Sequence, residues 1–144
     1  MKISTRGRYG IRLLIDLAEQ NDSNCVTLSS IAERQNISVR YLEQVAIILR
    51  RAGFIRSVKG ASGGYTLARD SSDIIVGDVL RVLEGDMLIV DPPIKGTTET
   101  LLTSCIRRVV FEPLNRRIAE IIDSENLAAL VGTQDTEEAY MYFI

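Results

Sequence analysis

The chain has 144 residues, 46% hydrophobic and 25% charged, with no histidine and two cysteines. That is one ordinary globular domain with an accessory element, not a disordered or fibrous chain. The missing histidine excludes a Ser-His-Asp or Cys-His nucleophile and a single-chain Cys/His zinc site. The net charge of −2 joins unlike halves: residues 1–70 hold eleven Lys/Arg against six Asp/Glu, and residues 71–144 hold six against thirteen. A basic half suggests a nucleic-acid surface; the acidic half suggests a second job.

Two cysteines, Cys25 and Cys105, make no disulfide framework, so a reducing cytosol is the expected compartment. No run approaches the roughly 20 apolar residues of a membrane span. Asp16 and Glu19 interrupt the basic start, so no signal peptide is expected.

Thr5 to about Gln20 reads as a helix with Leu13, Leu14 and Leu17 on one face, ended by the turn formers Asn21–Asn24. Val26–Leu28 reads as a short extended piece. Ser30 and Glu33 have capping-box spacing for a second helix ending near Gln35–Asn36. Ser38 is the expected N-cap of a third helix reaching Ala52, with Gly53 as its stop. Phe54–Val58 and Tyr65–Leu67 read as strands joined by the glycine-rich tip Lys59–Gly64. Val76 to Glu84 is a fourth helix ended by Gly85, and 86–97 is a loop. Thr98 to Ser124 has helical periodicity, with Pro113 expected to kink or split it. Leu127–Val131 adds one turn before an acidic, then aromatic, tail.

Helix, short helix, turn, helix and hairpin is the order of a winged helix-turn-helix. The expected fold is mainly α with a small β wing: residues 1–85 as the DNA-binding unit, 98–132 as a dimerisation helix region and 133–144 as a tail. On the third helix Leu42, Val45, Ala46 and Leu49 form a buried stripe. Arg40, Gln44, Ile47 and Arg51 fall within about 40° of the opposite direction at 100° per residue. In a major groove Arg reads guanine, Gln reads adenine and Ile meets thymine methyls. A solvated basic face with one stray Ile is the alternative. Arg50 suits a phosphate. Arg56 and Lys59 suit the backbone beside a glycine tip, although Gly60, Gly63 and Gly64 also suit a tight turn. No GxxxxGK[ST] phosphate loop is present. Lys2, Arg6, Arg8 and Arg12 flank phosphates or form a solvated face.

MKISTRGRYGIRLLIDLA, IAERQNISVRYLEQVAIILRRAGFIRSVKGASGGYTLA and VGDVLRVLEG together resemble the Rrf-two family of bacterial winged-helix repressors. The resemblance implies a homodimer on a palindromic operator, a long dimerisation helix and a wing in the minor groove. Carried over by motif, Ser38, Arg40, Tyr41 and Gln44 lie on the recognition helix. Lys59, Gly60, Ser62 and Gly63 lie on the wing. The family's iron–sulfur branch would need cysteines at 93, 99 and 105 and a histidine at 108. This chain has Pro93, Glu99, Cys105 and Arg108, so no iron–sulfur cluster is expected.

The start and the ending EEAYMYFI resemble the branch of the family that represses cysteine metabolism. That resemblance implies cysteine synthase as corepressor partner and O-acetylserine as the relieving metabolite. Tyr142, Phe143 and Ile144 make a ligand-like peptide end for such a partner, or pack on their own dimer. Cys25 is a candidate redox thiol beside the helix pair, or a small buried hydrophobe. Cys105 is expected in the core or the dimer seam, and Arg107, Arg108, Arg116 and Arg117 in solvent. The rival functions are a family regulator answering a redox signal through Cys25, and a protein-interaction module that binds no DNA. No catalytic motif is present, so an enzyme is not expected.

Overall fold

The computed structural model describes residues 1–20 and 25–142; the expected breaker Asn21–Asn24 and the tail residues Phe143 and Ile144 lie outside them. Helix α1 spans Thr5–Glu19 and buries Leu13, Leu14 and Leu17, as its periodicity predicts. Its first turn has no side-chain cap from Ser4. Glu84 supplies the acceptor from far along the chain, taking the Ser4 N–H at 3.1 Å, the Ser4 hydroxyl at 2.5 Å and the Gly7 N–H at 2.8 Å. A carboxylate there satisfies the orphan donors and the positive helix end together. Gly10 lets this helix lie close to the helix of Leu83, since a Cβ would collide with that side chain.

Helix α2 (Leu28–Gln35) is capped by Thr27, whose hydroxyl accepts the Ser30 N–H at 3.2 Å. The expected Ser30–Glu33 box is therefore displaced by three residues. Leu28 is helical, while Thr27 is extended and Val26 pairs with Tyr65 through bonds of 2.8 and 2.7 Å. Asn36 closes the helix in the left-handed region at φ 53°. Helix α3 (Val39–Arg51) starts at Ser38, which accepts the Tyr41 N–H at 3.4 Å, and turns out at Gly53 with φ 81°. Strands β1 (Ile55–Val58) and β2 (Gly64–Leu67) pair antiparallel, Ile55 opposite Leu67 and Val58 opposite Gly64.

A 3-10 turn at Ser71–Asp73 leads into α4 (Val76–Glu84), whose Val76, Val79, Leu80 and Leu83 are buried. The main core joins Leu13, Leu14, Ile31, Leu42, Leu49 and Ile55. A second cluster of Val76, Leu80 and Met87 continues it.

The long periodic stretch begins at Leu101, not Thr98. It comprises α5 (Leu101–Ile106), a π turn (Arg107–Phe111) and α6 (Glu112–Asp123). Helical backbone continues through Pro113, with the π turn immediately before it in place of the expected split into two helices. The ring lacks an N–H and would crowd the carbonyl four residues back, and the wider π turn immediately before it relieves both. Helix α7 runs Leu127–Tyr142, so the turn expected at Leu127–Val131 continues as helix through the described part of the 133–144 tail. It starts from Leu127, fully buried in the main core, and Asn126, which accepts the Ala129 N–H at 2.9 Å.

Candidate nucleic-acid interface

Leu42, Val45, Ala46 and Leu49 are at most 1% exposed, which turns the opposite side of α3 outward. Arg40, Gln44 and Arg51 stand on that side, and Ile47 among them is 40% exposed. Ser38 and Arg50 are also exposed. Tyr41 differs: it is half-buried, edge-on to Tyr9 with centroids 5.5 Å apart. Among the described residues, Arg40, Arg50, Arg51, Arg56 and Lys59 form no ion pair. Their charges face solvent.

The wing tip carries Lys59, Gly60 and Ser62 exposed, with Gly63 half-buried. Gly60 has φ 116° and open space where a side chain would be, and its carbonyl accepts the Gly63 N–H at 3.0 Å. Gly63 and Gly64 answer to the fold itself. A Cβ on either would run into backbone, at the Val58 carbonyl for Gly63 and the Val26 carbonyl for Gly64. Cys25 is half-buried, and its thiol donates to the Ser62 carbonyl at 2.8 Å. It is thus tied to the wing tip rather than lost in the core.

The turn from α3 into the wing is tied by Arg69, a residue sequence reasoning missed. Its guanidinium donates to the Gly53 and Ala52 carbonyls at 3.2 and 3.3 Å and stacks on Phe54 at 4.5 Å. A cation there meets the negative end of α3. Its one signal in the sequence, an arginine just after a strand, is weak. Arg12 is also an internal tie: it donates to both the side chain and the carbonyl of Gln35 and lies 5.3 Å over Tyr9. Lys2, Arg6 and Arg8 remain exposed.

In the second half Arg107 is half-buried and ion-paired rather than simply solvated. It donates to Glu99 at 2.8–3.1 Å and also to Glu112. That hydrogen bonding holds the Glu99 carboxyl below its usual range and Arg107 above its own. Cys105 is exposed, so it is outside this chain's core.

A family model described as an iron-dependent transcriptional regulator, Rrf2, matches residues 3–133. The chain belongs to the Rrf2 family. It is 39% identical to the HTH-type transcriptional regulator CymR of Bacillus subtilis over the full length of both chains. The solved structure of CymR, titled the global cysteine regulator of B. subtilis, matches with TM-score 0.80 at 35% identity, covering 92% of this chain and 98% of that one. T. potens IscR matches with TM-score 0.75 at 42% identity, covering 99% and 96%. This Rrf2 protein is accordingly a DNA-binding transcriptional regulator with a winged-helix fold, not an enzyme.

The family description names iron, but the residues here do not fit an iron–sulfur cluster. Pro93 offers no donor atom, Glu99 is engaged by Arg107, Cys105 stands alone on α5 and Arg108 is a cation. Among the described residues no three His, Cys, Asp or Glu side chains are grouped to hold a metal. Nor is any described helix long and apolar enough to cross a membrane.

Proposed function

We propose that this Rrf2 regulator is a cytoplasmic homodimeric repressor of cysteine or sulfur-metabolism genes. Residues 1–85 bind a palindromic operator and residues 98–132 pair the two copies. The observation that carries the reading is the outward face of α3, with Arg40, Gln44, Ile47 and Arg51 beside a wing bearing Lys59. Ser38, Tyr41, Arg50, Gly60, Ser62 and Gly63 complete the proposed contact surface. Pairing is supported by Leu101, Leu102 and Val109, which are 93%, 71% and 62% exposed along one long helical element. Apolar side chains in that number call for a partner surface. The likeness to a protein titled a global cysteine regulator supports the choice of genes. Cysteine synthase as corepressor rests on the resemblance of the ending, with Tyr142, Phe143 and Ile144 as its contact.

The test is fluorescence anisotropy on genomic fragments, with and without cysteine synthase and O-acetylserine. The reading expects binding to a fragment with dyad symmetry and affinity that falls linearly with salt on log–log axes. Cysteine synthase should tighten it, O-acetylserine should reverse that, and deletion of residues 142–144 should abolish the tightening. Absence of any salt-dependent fragment binding would leave the protein-interaction alternative.

A second reading is favoured by the Cys25–Ser62 contact. Peroxide converts a thiolate to sulfenic acid, placing a larger group where the wing tip now sits at 2.8 Å. DNA affinity should then fall on peroxide treatment, and Cys25→Ser should remove that response. An equally sensitive Cys25→Ser protein rejects the sensor role.

A further inference from the structure

A cavity of roughly 250 Å³ lies between the loop after α4 and the π turn. Its apolar walls are Leu88, Val90 and Pro93 from the loop and Phe111 from the helix. Asn115 holds the loop in place from beneath. Its side-chain oxygen accepts the Ile89 N–H at 2.8 Å, and its amide donates to the Val90 carbonyl at 2.9 Å. The cavity is therefore built by the fold rather than left by a loose loop.

Its polar side is lopsided in charge. Arg107 donates to Glu112, which also lines the cavity, and to Glu99, which lies outside it. Asp91 is the second carboxylate on the cavity and forms no ion pair among the described residues. One guanidinium against two lining carboxylates leaves one negative charge in excess, which favours a cationic guest. A hard metal ion requires several oxygen ligands at once, and no such group is assembled among the described residues. Apolar walls beside an excess carboxylate instead match an organic ammonium with a hydrocarbon body.

We propose that this cavity binds a small molecule carrying a primary ammonium on a short apolar body, the ammonium at Asp91 and Glu112 and the body against Val90, Pro93 and Phe111. The site is placed to affect pairing. Arg107 and Phe111 are the first and last residues of the π turn, where the Glu112 N–H reaches back five residues to the Arg107 carbonyl. One residue of π insertion changes the phase of a helix by roughly 100°, so this turn sets where Leu101 and Leu102 point relative to α6. This coupling rests on the homodimer proposed above; the binding site does not.

The experiment titrates the full chain, without DNA, with butylammonium, butan-1-ol and butanoate, read by calorimetry and by NMR shifts. Butylammonium is expected to saturate in the millimolar range, with shifts centred on Leu88, Val90 and Phe111. Butan-1-ol should bind at least tenfold more weakly and butanoate not at all. Asp91→Asn should weaken butylammonium at least fivefold, while Asp86→Asn, on the same loop but outside the cavity, should not. Equal binding of butanoate, shifts centred elsewhere, full affinity in Asp91→Asn, or no saturation by about 50 mM each overturns the site. Sedimentation equilibrium then reads the coupling: saturating butylammonium should change the dimer dissociation constant at least threefold. An unchanged constant overturns the coupling, and a chain that remains monomeric overturns the dimer reading instead.

Discussion

Asp16 of α1 is buried, and the guanidinium fork of Arg34 closes on its carboxylate, Nε to Oδ2 at 3.0 Å and Nη2 to Oδ1 at 2.7 Å. Gln35 adds a third donor to Oδ2 at 3.0 Å. The hydrogen bond to Asp16 raises the Arg34 pKa further above its ordinary value. This cluster fastens the end of α2 to α1, and so fixes the platform from which α3 projects.

The two partners should differ on deletion. Asp16→Ala leaves a guanidinium whose side chain is 38% exposed and can be rehydrated. We expect a loss of about 2 kcal/mol, below the range for a fully buried pair. Arg34→Ala leaves a carboxylate only 1% exposed, and its loss at neutral pH should be the larger. Urea denaturation of both variants checks the order.

Gly64→Ala should loosen the wing. The new Cβ would overlap the Val26 carbonyl, forcing backbone to move and straining the two Val26–Tyr65 hydrogen bonds. A loss of about 2 kcal/mol is expected, with faster amide exchange at Val26 and Tyr65. Gly60→Ala tests φ strain alone, since nothing fills its side-chain space, and should cost about 1 kcal/mol.

Arg40 and Lys59 should separate reading from holding. Arg40→Ala is expected to cost about 1–3 kcal/mol on the proper operator and to relax preference at one base position. Lys59→Ala should weaken all sequences alike and reduce the salt slope by about one. Competition binding with single-base operator variants tells the two apart.

The Glu99–Arg107 tie should persist to unusually low pH. Arg107 depresses the Glu99 pKa, so the contact's stabilisation is complete above the ordinary carboxylate value and is lost only as pH falls through the depressed one. Asp123 beside Arg81 follows the same direction. An NMR titration of the Glu99 carboxyl carbon should give a midpoint below about 4.3, and Glu99→Gln should remove that acid transition. A midpoint near 6 would contradict the contact.

Helices α3 and α4 and the wing were legible because their signals are local. The 3.6-residue stripe of Leu42, Val45, Ala46 and Leu49 marks one side of α3 as buried, and this alone places Arg40, Gln44 and Arg51 outside. Ser38, Gly53 and Gly85 sit where backbone geometry requires them. Helix α7 was not legible beyond its first turn, because Leu127–Tyr142 carries no apolar stripe to give a period. Its start is anchored by Leu127 in a core assembled from distant residues.

The caps, the cysteine and the charged ties were decided by tertiary structure alone. Glu84 completes the start of α1 across 80 positions of sequence, and Cys25 meets Ser62 across 37. No spacing rule encodes such pairs, since each exists only once packing has brought two elements together. Arg107 gave the same lesson. Among neighbouring arginines it has no distinguishing pattern, yet the turn before Pro113 sets it between Glu99 and Glu112. Periodicity determined which faces are buried; folding decided which polar groups meet, because a hydrogen bond depends on positions in space that a one-dimensional pattern does not hold.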